Sequence, residues 1–67
     1  MEYTNTRIRE IIAEYIHSER DRAILCKRYI DGLTIERLSE ETELSVSQVK
    51  RILWKNSEII FRKLEKN

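Results

Sequence analysis

A chain of sixty-seven residues with no proline and only one glycine, Gly32, has almost nothing from which to build tight turns. Hairpins need residues that accept positive φ at every reversal, so a many-stranded sheet is excluded and helices joined by short connections are expected. The length bounds the chain to one small domain, residues 1–67. Its 40% apolar and 37% charged residues suit a small α-domain with much surface. Cys26 is the only cysteine, which excludes an internal disulfide framework. With His17 as the only histidine, a Cys/His zinc site is excluded too, and no metal or cofactor is implied. No run approaches the roughly 18 apolar residues of a membrane span. The start MEYTNTRIRE has no secretory core, so a soluble, cytoplasmic protein with no membrane partner is expected.

Periodicity divides the chain into three short helices and one long one. Ile8, Ile11, Ile12, Tyr15 and Ile16 form one apolar stripe over about Asn5 to His17. Ser18 caps a second helix, about Glu19 to Asp31, with Asp21 at the third position of a capping box. Ala23, Ile24, Leu25, Arg28 and Tyr29 turn toward or alongside the core. Gly32 closes this helix in the left-handed conformation, and Leu33 folds back beyond it. Thr34 caps a third helix, Ile35 to about Thr42, with Ile35, Leu38 and Thr42 inward. Leu44 plugs the next turn, and Ser45 or Ser47 caps a last helix running to about Lys66.

Residues 34–53, TIERLSEETELSVSQVKRIL, combine a short amphipathic helix, a tight connection and a second helix with a hydrophilic start. That is the make-up of a helix-turn-helix. Ser39 is the small residue at the crossing, and Leu38, Thr42, Leu44, Val49 and Ile52 fall at the buried positions. Charge has a direction along the chain. Residues 1–44 hold seven Lys/Arg against ten Asp/Glu, a net −3, while residues 45–67 hold six against two, a net +4. A basic segment on an acidic body points to a polyanion, although a solvated helix face would show the same charges.

Residues 20–64 resemble region 4 of bacterial sigma factors and related small phage-type regulators. The matching residues are Arg22, Leu25, Arg28, Tyr29, Gly32, Leu33, Thr34, Leu38, Leu44, Ser45, Val49, Lys50, Arg51 and Ile52, with Lys63-Leu64 at the end. The resemblance implies a transcriptional regulator that places its last helix in the major groove of double-stranded DNA and also contacts RNA polymerase. Val46, Ser47, Gln48, Lys50 and Arg51 would then approach base edges, with Arg51 suited to guanine and Gln48 to adenine. Thr34 and Lys55 would hold phosphates. Glu43 replaces the usual turn glycine, so the turn must either suit a side chain or carry strain. Ser39 stands where alanine is commoner. Nothing in these residues corresponds to the domain that binds the −10 element, so a complete sigma factor is not expected.

Trp54 and Phe61 lie seven apart, outside the apolar arc of the last helix. Either the first helix covers them, or they form a patch that pairs with a second copy, giving a homodimer, or with a partner protein. Glu36, Glu40, Glu41 and Glu43 read as a solvated face, and no enzyme is expected. Two rival functions stay open: a phage DNA-packaging or recombination accessory, and a protein–protein adaptor that keeps the fold without DNA affinity.

Overall fold

The computed structural model describes residues 5–65. Four helices follow one another: α1 (Asn5–Tyr15), α2 (Glu19–Tyr29), α3 (Ile35–Thr42) and α4 (Val46–Glu65). The all-α expectation holds, with no strand among the described residues. One capping device starts three of the helices. The Ser18 hydroxyl accepts from the Asp21 N–H at 3.3 Å, and the Thr34 hydroxyl from the Arg37 N–H at 3.1 Å. At α4 the device is reciprocal. Ser45 Oγ accepts from the Gln48 N–H at 3.1 Å, and Gln48 Oε1 accepts from the Ser45 N–H at 3.0 Å. Two of the N–H groups that a helix start leaves without partners are satisfied together.

Each helix sends its apolar stripe into one core. Ile11, Ile12 and Ile16 come from α1 and its end, Ile24 and Leu25 from α2, Leu38 from α3. Val49, Ile52, Leu53, Ile60 and Leu64 line one side of α4, which touches all three other helices. Burying seven such side chains almost completely is worth about 1.5–3 kcal/mol each before entropy is charged against it.

Three details differ from the sequence reading. Ala23 is exposed, because Ile24 and Leu25 already occupy the narrow inward face of α2. The first helix ends at Tyr15 and the second at Tyr29, each two residues short of expectation. After α2 the Leu33 N–H reaches back to the Lys27 carbonyl at 3.0 Å around Gly32 at φ 75°, and Arg28 donates to the Leu33 carbonyl at 2.8 Å. The third concerns Asp21. Its carboxyl does not return to the Ser18 N–H as a capping box requires; it turns inward and accepts from Asn56 Nδ2 at 3.2 Å. Aspartate is one methylene shorter than the usual glutamate, and a buried amide on α4 offers it a better partner. Asn56 also donates to the Ile52 carbonyl at 2.9 Å. Both residues are buried, and among the described residues no buried side-chain polar atom lacks a partner. This bridge pins α2 against the middle of α4.

Tyr3 and the helix end at Lys66 lie outside the described residues.

Candidate nucleic-acid interface

The turn between α3 and α4 sets how the last helix is presented. Glu43 takes φ 60° and ψ 21°, the left-handed region that a side chain enters at a cost. Hydroxyls on either side hold it closed. Ser39 Oγ donates to the Leu44 carbonyl at 2.6 Å, and Thr42 Oγ1 donates to the Leu38 carbonyl at 2.6 Å. Ser39 therefore ties the turn as well as fitting the crossing, a bond that alanine at this position cannot make. Leu44 is half-buried against the core, as expected of a plug.

With Val49, Ile52, Leu53, Asn56, Ile60 and Leu64 inward, the opposite side of α4 faces solvent. Ser47, Gln48, Lys50, Arg51 and Lys55 are all exposed there, and Val46 is half-buried at the first turn. Gln48 has its carbonyl oxygen committed to the cap, so the end left for a base is its amide NH2. Thr34 is exposed but caps α3 rather than lying on α4, with its hydroxyl occupied as acceptor from the Arg37 N–H. Its neighbour Ile35 lines a groove of about 370 Å³ with Lys50 and Trp54, which brings the α3 start to that flank of α4.

Ion pairs engage cations of α1, α2 and α3. Arg7 pairs with Glu10, Arg20 with Asp21, and Lys27 and Arg37 both with Glu41. Among the described residues, Lys50, Arg51 and Lys55 take part in no ion pair. Glu41 joins α2 to α3, at 2.9 Å from Lys27 and 3.1 Å from Arg37. The hydrogen bond from Lys27, then that from Arg37, hold its carboxyl below the usual glutamate range. Part of the acidic patch is thereby neutralised within the molecule, while Lys50, Arg51 and Lys55 stay available.

Sequence reasoning missed Arg20. It lines a small depression with Leu44, Gln48, Arg51 and Ile52, so α2 adds a cation beside the α4 face. Its place two residues beyond the Ser18 cap was the only signal, and charge counted by segment placed it in the acidic body.

Residues 18–55 match the family model of sigma-70, region 4. The chain belongs to the sigma-70 region 4 family. The match runs from the cap of α2 to Lys55 on α4, so it takes in the turn, the capping box and every exposed cation named on that face. No curated protein and no solved structure matches the chain. Region 4 domains are non-catalytic modules that bind DNA and contact RNA polymerase. No group of His, Cys, Asp or Glu among the described residues could hold a metal ion. Among the described residues no helix is long and apolar enough to cross a membrane.

The aromatic pair of α4 stays exposed at the surface. α1 does not cover it: Phe61, half exposed, meets Tyr29 of α2 edge-on, with ring centroids 5.9 Å apart and planes at 79°. Tyr15 of α1 instead lies beneath the Lys63 ammonium at 4.6 Å. Trp54 stays 80% exposed.

Proposed function

We propose that this region 4 protein is a sequence-specific regulator of transcription that reads duplex DNA with α4 in the major groove. The observation that carries the reading is the outward face of a capped helix on which, among the described residues, Lys50, Arg51 and Lys55 are exposed and take part in no ion pair. Val46, Ser47, Gln48, Lys50 and Arg51 meet base edges; Lys55 and Thr34 hold the backbone, with Arg20 beside them. Arg51 donates two parallel hydrogen bonds to guanine O6 and N7, and the free amide NH2 of Gln48 donates to an acceptor on a neighbouring base. In this reading the protein also touches RNA polymerase while on DNA, and works in the cytoplasm; membership of the region 4 family supports it.

The test starts from fragments selected out of a random duplex pool. Arg51→Ala should weaken binding to the selected site by about 1–3 kcal/mol and relax the preference at one base pair. Selection of no consensus by the wild-type protein, or an unchanged consensus with Arg51→Ala, would overturn the assignment. Binding of a protein but of no duplex would mark an adaptor.

A further inference from the structure

Trp54 is the largest apolar side chain that the fold leaves in water, at 80% exposure, and Phe61, its neighbour on the wheel, is already occupied by Tyr29. Its register on α4 is informative. It follows Lys50 by four residues and Arg51 by three, so its ring emerges between their side chains. It follows Ser47 by seven, the same side of the helix about 10 Å farther along the axis. A major groove is about 12 Å wide, so a helix whose first turn meets base edges brings that position to the groove wall.

We propose that Trp54 is a DNA contact, its indole packed on the apolar surface of the duplex, the thymine methyl groups and deoxyribose carbons, at the far end of the α4 face. The proposal rests on the DNA-binding reading above and adds to it a side chain that its polar contacts do not include. Charge decides between occupants. The two depressions that share Trp54 are lined by the cations Arg28, Lys50, Arg51 and Lys55 and by a single carboxylate, Glu58. A second copy docked through Trp54 about a two-fold axis would set those cations against their own images. A duplex offers apolar sugar and methyl surface between rows of phosphates, which matches an indole between cations.

Trp54 is the only tryptophan, so emission excited in the indole band reports on this ring alone. The protein is titrated with a selected duplex while a dye on the DNA follows binding independently by anisotropy. The proposal expects the emission to change and to saturate with the anisotropy. Trp54→Ala should weaken binding on the order of tenfold, as for one lost apolar contact, and Trp54→Phe should restore most of it. At so exposed a position both variants should keep the wild-type thermal midpoint. Anisotropy that rises normally while emission stays flat and Trp54→Ala binds like wild type would overturn the contact and leave the DNA reading standing. Absence of any duplex binding would overturn both. Emission that changes on concentrating the protein without DNA, with a doubled mass in sedimentation that Trp54→Ala abolishes, would overturn it in favour of a second copy.

Discussion

Replacing Glu43 by glycine should make the protein more stable, contrary to the usual effect of glycine within a helix. Glu43 holds φ 60° and ψ 21° at the end of α3, and a left-handed L-residue costs about 1–2 kcal/mol. Glycine removes that cost but gives back about 0.5–1 kcal/mol of chain entropy, because its unfolded state is freer. The balance is a gain of about 0.5–1 kcal/mol. For a domain of this size, that is a rise of roughly 2–8 °C in the thermal midpoint. Glu43→Ala is the control: it removes the same charge but keeps a Cβ, so it should recover none of the backbone term. Gly32→Ala is the mirror experiment. Gly32 sits at φ 75°, and a Cβ there would meet no atom within 4 Å, so any loss is conformational and should be about 1 kcal/mol. Thermal melts followed by circular dichroism measure all three. Equal stabilisation by Glu43→Gly and Glu43→Ala would refute the backbone argument and assign the effect to charge.

Two further perturbations test how the helices are joined. Asn56→Ala leaves the inward oxygen of Asp21 without its donor and should cost about 1–3 kcal/mol in urea unfolding; an unchanged midpoint would mean the bridge is not formed. The lowered folded-state pKa of Glu41 makes its contribution complete above the unfolded value and lost as pH falls through the folded one. Glu41→Gln should therefore melt below wild type at neutral pH and converge with it in acid; a gap that persists unchanged into acid would contradict the Lys27–Glu41–Arg37 link.

Local signals carried most of the fold. Thr34, one apolar stripe and the Glu43 turn set α3 at Ile35–Thr42 in both sequence and structure, and of the two caps the sequence offered for α4, Ser45 and Ser47, the structure uses Ser45. The exposed polar face of α4 follows directly from which of its residues are apolar, at about 100° per residue. What sequence spacing did not reveal depends on residues far apart in the chain. Asp21 looks like a cap because its inward partner is 35 positions away. Arg20 looks like part of an acidic body until α2 packs it beside Arg51. Ser39 reads as a substitute for alanine, and its bond to the Leu44 carbonyl appears only once the turn closes. Glu43 was legible as a choice between a tolerated conformation and strain, and the structure takes the strained one.

The central claim is that Lys50, Arg51 and Lys55 of α4 enter a duplex between its rows of phosphates, and the salt dependence of duplex binding tests it most directly. If Lys50, Arg51 and Lys55 each displace a counterion, the logarithm of the affinity should fall against the logarithm of salt with a slope of about −2.7. Affinity should then drop about 40-fold between 50 and 200 mM salt, by the same counterion-release relation. An affinity that stays level across that range would contradict the account.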